Sequence, residues 1–565
     1  MGTTRLGTVG LGFAVATVLA LGVGACGGGG AIVDAGAAQS SPESGSSIDA
    51  QTALDAGRDG GGISVSLGLD GSVPDVASPP DAAIVPDAAA PPDARTTQDA
   101  AAPADARPTP DASDAAPPTD GGPSTAIVPV NPCTGTANQV YSPVANLAPM
   151  TNALRGDITV CTSDGTLATS DVQTQLTAQQ DTGVTAVTGV AIYRVQYRTT
   201  RANGSAGVSS ARIYLPLVPI ASEPPVVVSA HGTEGLAASC ATSMTATSMR
   251  DLALPWASLG YPVIAPDYAG LGTEGVQGYE DNRDTARSVV DSVEALRKFV
   301  ATTLSQKVVI DGHSQGGGAA LATQALATQM NMQGTLAAVV TYAPEYFSHM
   351  DSLGFVGALK SVAASNPLTI STGVTKCTVA TMMEYAYFAN YEASGSPTAG
   401  FPASNAASLG NAIESLCTVP LGGAVQAAAV HVADWTDPTL RAETLACVTG
   451  MPTVGDGGAS CTGAGQAFYQ YLQQNILTPD SVGAPVLLVQ GLQDIVMPPD
   501  QEAACNVIAL EAGGVTPQVC TDATASHTDV VQRNIAFGIQ WAQAILAGTT
   551  PPACAASALP ACTAP

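Results

Sequence analysis

The chain has 565 residues, 59 of them Gly and 40 Pro, and its 46 acidic against 19 basic side chains give a formal net charge of −27. So acidic a chain is a poor partner for nucleic-acid phosphates, and no nucleic acid is expected to bind. The length allows several domains, but the first quarter lacks the composition of a folded one.

Residues 1–25 contain Arg5 and an apolar run over 11–23, shorter than the ~20 residues a membrane span needs. The run ends in Val23-Gly24-Ala25-Cys26. Small residues before a cysteine resemble a bacterial lipoprotein signal, which implies that Cys26 is lipidated and tethers the protein to a membrane. Gly27 in place of aspartate implies an outer-membrane or surface position. An ordinary secretory signal cleaved near Ala25 is the plainer alternative, and either reading exports the protein.

From 27 to about 125 the chain is Ala, Pro, Asp, Gly and Ser, with Asp75, Asp81, Asp87, Asp93, Asp99, Asp105 and Asp111 recurring every six residues. No apolar face survives such a pattern, and its prolines and like charges favour an extended tether over 26–130. It holds fourteen Asp and one Glu against three Arg, nearly half of the net charge. Single carboxylates six residues apart do not build a calcium cage of six to eight oxygens, so no metal is expected there.

The folded region is expected over 131–548, followed by a tail at 549–565. Two early strands are expected at 191–197 and 208–215, then a buried strand at 226–230 ending in His231-Gly232-Thr233. A strand at 262–266 leads into Asp267-Tyr268-Ala269-Gly270-Leu271-Gly272, and 284–301 has helical spacing. The apolar run 307–311 reads as a strand, 316–328 as a helix, 336–342 and 485–489 as strands, 500–512 as a helix, 518–521 as a candidate strand, and 530–546 as the last helix. This alternation predicts an α/β fold, a mostly parallel sheet with helices on both faces.

Between the strand and helix around position 312 stands Gly312-His313-Ser314-Gln315-Gly316. In that setting G-x-S-x-G is a nucleophile elbow, with Ser314 on a strained turn. A serine hydroxyl needs a base beside it. His527, after the 518–521 strand and before the last helix, is the best candidate; His431 is the runner-up, and His313 and His231 read as structural. Asp494, in the loop after 485–489, is placed to orient His527, with Asp500 as the alternative. The order Ser314, Asp494, His527 suits an α/β-hydrolase fold. The oxyanion needs two N–H donors, expected from the backbone of Gln315 and of Thr233, with Gly232 second to Thr233. The chemistry needs no cofactor and no metal.

About 135 residues separate Pro344 from Pro479, too many for a loop, so residues 345–480 are expected to form a cap over the site. Met382, Met383, Tyr385, Tyr387, Phe388 and Tyr391 could line an acyl-binding surface there, or form the cap's own core. The core is then divided into 131–344 and 481–548. Eleven cysteines beyond Cys26 make disulfides expected in an exported protein, with Cys447–Cys461, Cys505–Cys520 and Cys554–Cys562 as local pairs and one thiol left over.

The His-Gly-Thr after a strand, Ala265-Pro266-Asp267-Tyr268-Ala269-Gly270-Leu271-Gly272, the elbow, the long insertion and the segment 485–494 together resemble the secretory lipase family of the α/β-hydrolase superfamily. That resemblance implies a carboxylic ester hydrolase with an ester or lipid substrate. A peptidase on the same fold, or a surface-tethered binding protein with a relic triad, would carry the same scaffold.

Overall fold

The computed structural model describes residues 126–181, 183–245, 250–345, 373–392, 395–428, 435–449, 460–554 and 558–563. The expected signal at 1–25, Cys26, the aspartate hexads and the runner-up base His431 lie outside them.

Among the described residues, nine strands form one sheet: β1 Ile158–Leu167, β2 Val190–Thr200, β3 Ala206–Pro216, β4 Val226–Ala230, β5 Val263–Pro266, β6 Lys307–His313, β7 Thr335–Tyr342, β8 Val486–Gly491 and β9 Gln518–Asp522. Their order across the sheet is β1-β2-β3-β5-β4-β6-β7-β8-β9. The pairs from β1 through β3 to β5 are antiparallel, and every pair from β5 to β9 is parallel. The α/β expectation of a mostly parallel sheet holds. β1 was not anticipated, because its sequence ITVCTSDGTL carries little apolar pattern and most of it is not buried.

The central strands are apolar on both sides, and their side chains alternate between two cores. Val227, Val309, Val340, Leu487 and Val489 face one core; Val226, Val228, Val308, Ile310, Val339 and Val486 face the other. Helices α1 Ala137–Val140, α2 Thr169–Ala178 and α3 Arg250–Ser258 precede or interrupt the antiparallel half. α2 and α3 supply Leu176 and Trp256 to the first core. α4 Asn282–Phe299 and α5 Gln315–Leu326 supply Val289, Val293 and Ala320 to the second. α3 escaped the sequence pattern because Pro255 lies inside it, a residue that ordinarily ends a helix.

After β7 come α6 Gly373–Tyr391, α7 Ala406–Ser415, α8 Thr418–Ala428, α9 Pro438–Thr449 and α10 Gly463–Asn475, before the chain returns to β8. These five helices have a core of their own. Met382, Met383, Tyr385, Tyr387 and Phe388 are all at most 7% exposed and pack with Trp435, Phe468 and Leu472. The aromatics of α6 therefore fill this core rather than line an acyl surface; Tyr391 alone among the six is exposed, at 39%. The last two helices are α11 Ala503–Ala512 and α12 Val530–Ala547, the latter packing Ile535, Ile539 and Trp541 on the first core.

Between described residues, five disulfides join Cys133–Cys161, Cys240–Cys417, Cys447–Cys461, Cys505–Cys562 and Cys520–Cys554. Only Cys447–Cys461 is as expected. Cys505 on α11 and Cys520 on β9 each bond to the C-terminal tail, which returns along the body so that Thr563 N–H donates to the Asp500 carbonyl at 2.8 Å. Cys377 on α6 is disulfide-bonded as well, so no described cysteine is free, where one leftover thiol was expected.

Candidate active site

β6 delivers Ser314 to a turn with φ 55° and ψ −122°. That backbone costs a non-glycine residue on the order of 1–3 kcal/mol, so the surroundings must hold it. They do: Ser314 N–H donates to the Tyr342 carbonyl at 3.0 Å, and its own carbonyl accepts from Glu345 N–H at 3.0 Å and Gly318 N–H at 3.1 Å. The two glycines of the motif are demanded by close approach. A Cβ on Gly312 would lie 2.0 Å from the Gly316 carbonyl oxygen, and one on Gly316 would lie 2.0 Å from that of Ala230. α5 begins at Gln315, so the Gln315 N–H is one of the first-turn donors that a helix leaves unpaired.

Asp494 follows β8 by three residues and is 3% exposed. Its Oδ1 accepts from the backbone N–H groups of Val496 at 2.8 Å and Met497 at 2.7 Å. Its Oδ2 faces His527 Nδ1 at 2.8 Å and Gln490 Nε2 at 3.4 Å. A carboxylate against Nδ1 selects the tautomer that leaves Nε2 as the proton acceptor. The histidine loop sits tightly on β8, since a Cβ on Gly491 would come within 2.4 Å of the Ala525 carbonyl oxygen. Asp500, the alternative to Asp494, instead accepts from Thr563 Oγ1 at 2.7 Å.

His313 Nε2 donates to the His527 carbonyl at 2.8 Å. Burial pushes the His313 imidazole down to about 3, so it is neutral. His231 is buried beside Tyr268, with Nδ1 2.6 Å from the Gly232 carbonyl oxygen and Nε2 3.2 Å from that of Asp267. Both have the packing places expected of structural histidines.

On the other side of the nucleophile, β4 ends in the loop carrying Gly232 and Thr233. A Cβ on Gly232 would stand 3.4 Å from Ser314 Cβ, so this loop lies against the serine. Thr233 Oγ1 is 3.0 Å from Tyr279 Oη, and the Thr233 carbonyl accepts from Thr418 Oγ1 at 3.2 Å. Tyr279, Glu280 and Glu345, which stand behind this loop and the elbow, were not found from the sequence. Gly278–Asn282 reads there only as polar chain before a helix, and nothing local pairs Tyr279 with Thr233, 46 positions earlier. Among the described residues no cluster of His, Cys, Asp or Glu could hold a metal ion, and no helix is long and apolar enough to cross a membrane.

Residues 236–365 match the family model for secretory lipases. A stretch of 151 residues is 27% identical to lipase A of Moesziomyces aphidis, covering 24% of this chain and 31% of that protein, so under a third of the relative's length is matched. The structure is similar to that of Candida antarctica lipase A, with a TM-score of 0.51 at 16% identity over 75% of this chain and 89% of the other. The resemblance to secretory lipases and the α/β-hydrolase fold expected from the sequence are thus both borne out.

Proposed function

We propose that the chain is a carboxylic ester hydrolase, a lipase or esterase that works through an acyl-enzyme. Ser314 Oγ attacks the acyl carbonyl carbon while His527 Nε2 takes its proton. The tetrahedral oxyanion draws on the backbone N–H groups of Gln315 and Thr233, with Gly232 as the alternative to Thr233. Collapse expels the alcohol, which receives the proton from His527. Water then repeats the sequence on the acyl-enzyme, with His527 as base, and releases the acid. Asp494 holds the imidazole in its tautomer and balances the imidazolium. The observation that carries this reading is the 2.8 Å contact of His527 Nδ1 with Asp494 Oδ2, on a histidine whose carbonyl is bonded to the residue preceding Ser314.

In this reading residues 345–480 are the cap, 131–344 and 481–548 are the catalytic core, and 549–565 is a tail. Residues 1–25 are the export signal, 26–130 the tether, and Cys26 the lipid anchor to a membrane. The five disulfides between described residues fit an oxidising, extracytoplasmic location. The test is hydrolysis of p-nitrophenyl esters of graded chain length beside aminoacyl anilides, with Ser314→Ala in parallel. Ester turnover lost in the variant is expected; anilide turnover exceeding ester turnover would make the chain a peptidase, and no turnover of either would leave a binding protein.

A further inference from the structure

His527 rides on a short segment, 522–529, that runs from the last residue of β9 to the N-cap of α12. One guanidinium joins the two ends of that segment. Arg533 Nε donates to Asp522 Oδ2 at 2.8 Å, and Arg533 Nη2 donates to Asp522 Oδ1 at 3.0 Å. The same Nη2 donates to Thr524 Oγ1 at 2.5 Å, and Nη1 lies 3.9 Å from Asp529 Oδ2. The two carboxylates fold the loop between them. Asp522 Oδ1 accepts from the backbone N–H groups of Thr524 at 3.0 Å and Ala525 at 3.1 Å. Asp529 Oδ1 accepts from the Ser526 N–H at 2.6 Å and from the Ser526 hydroxyl. The folded loop is bonded in turn to the one that carries Asp494: Leu492 N–H donates to the Asp522 carbonyl at 2.8 Å, and Gln493 N–H to the Ala525 carbonyl at 3.0 Å.

Arg533 lies in the first turn of α12. A cation there faces the positive end of the helix dipole, so the position is unfavourable unless carboxylates offset it. The Arg533 side chain is 42% exposed, and a lone ion pair at that exposure contributes little. This pair is bidentate, on a carboxylate 16% exposed, and it closes a network, the circumstances in which a surface pair fixes geometry. Burial raises the Asp522 carboxyl, yet the Arg533 and Thr524 hydrogen bonds hold it down to about 2, so the pair stays ionised near neutral pH. We infer that Arg533 is a positioning residue, a clamp that acts through Asp522 to hold the His527 loop against Asp494. The inference rests on the base role proposed for His527. Without the guanidinium, the polar tie from Asp522 to α12 is reduced to the 3.4 Å contact of Asn534 Nδ2 with Asp522 Oδ2. The loop then loosens, and His527 moves relative to Asp494 and Ser314 while the sheet stays folded.

The test is kcat and KM on p-nitrophenyl acetate for the full chain and its Arg533→Ala, Arg533→Lys, Asp522→Asn and double Asp522→Asn, Arg533→Ala variants. Arg533→Ala should lower kcat roughly 10- to 100-fold, because misplacing a catalytic group by about 1 Å has a cost of that order. KM should change less than about twofold, since the guanidinium meets no substrate in this scheme. Arg533→Lys should recover only part of the loss, because a point charge cannot make the bidentate contact. The double variant should be no worse than Arg533→Ala, because the two side chains form one device. Millimolar guanidinium chloride should raise the kcat of Arg533→Ala roughly threefold or more by taking the vacated place on Asp522, and sodium chloride should not. Parental kcat in Arg533→Ala, costs that multiply in the double variant, or no response to guanidinium overturns the clamp. Amide hydrogen exchange separates the clamp from the hydrolase reading, because it is read without catalysis in a Ser314→Ala background. There, Arg533→Ala should speed exchange at Thr524, Ala525 and Ser526 roughly 10-fold or more while β4 and β6 keep their protection. Unchanged exchange in the loop sinks the clamp even if the esterase stands, and so does loss of protection throughout the sheet, which would make Arg533 a residue of general stability. An active Ser314→Ala enzyme sinks the serine mechanism and, with it, the positioning role.

Discussion

His313 Nε2 donates to the carbonyl oxygen of His527 at 2.8 Å, and the two rings stand 4.6 Å apart, centroid to centroid. The residue before the proposed nucleophile therefore grips the backbone of the proposed base. The elbow and the histidine loop lie 214 positions apart in the chain, and this contact ties one to the other. His313→Ala should lower kcat roughly 10- to 100-fold through misplacement of His527, with a smaller effect on KM. Steady-state kinetics on a short ester reads this; an unchanged kcat would show that the β8 packing suffices.

The same histidine gives a stability signature. Its imidazole is held down to about 3 by burial, against 6.5 in an unfolded chain. On acidification from 6.5 to about 3 the unfolded chain binds a proton that the fold refuses, so His313 should make the protein lose stability over that window and no further below it. Thermal midpoints against pH should show a shallower acid slope in His313→Gln than in the parent.

The triad should act as a unit. Ser314→Ala and His527→Ala should each lower the turnover rate by ~10⁴-fold or more, and the double variant should be barely worse than either. Asp494→Asn should cost less, although its Oδ1 also carries the Val496 and Met497 amides, so some of its loss will be loop disorder. Independent contributions from Ser314 and His527 would multiply in the double variant, which single-turnover rates would reveal.

Substitution of Tyr387 should act through folding. Its ring lies 4.8 Å from Phe468 and 4.9 Å from Tyr471, centroid to centroid, inside the core of α6–α10. Tyr387→Ala should cost about 3–5 kcal/mol, and any activity loss should be equal across ester chain lengths. Denaturant unfolding and a chain-length series together check this; a selective loss on long esters would return the residue to the substrate surface.

The N-terminal limit of the fold can be set by truncation. Ile127 is 4% exposed, and Val130 N–H donates to the Phe299 carbonyl at 2.8 Å. A chain starting at Ala126 should keep its turnover, whereas one starting at Pro132 should lose about 1.5–3 kcal/mol with the buried isoleucine. Melting curves of the two proteins decide it.

Much of the parallel half was legible in the sequence, because strands buried on both faces must be continuous Val, Ile and Leu runs, as in β4, β6 and β8. The elbow was legible because its two glycines answer steric contacts that no other residue tolerates. β1 was not, since an edge strand with one wet face and a Gly-containing bend has no such signature. The bonds of Cys505 and Cys520 to Cys562 and Cys554 depend on where the tail returns, which local spacing does not encode. The Thr233–Tyr279 contact has the same origin: it is made by tertiary convergence of two short segments 46 positions apart.

Cys240–Cys417 ties the loop after β4 to the turn between α7 and α8, 177 positions away in the chain. Thr418, next to that cysteine, donates its N–H to the Glu234 carbonyl at 2.9 Å and its hydroxyl to Thr233. Closing so long a loop removes on the order of 5 kcal/mol of disorder from the unfolded chain. A reducing compartment withholds that crosslink, leaving the Thr418 hydrogen bonds and the packing of Leu236 to join this loop to the insertion. A thiol reductant should therefore loosen the join between the loop after β4 and the insertion before it loosens the sheet.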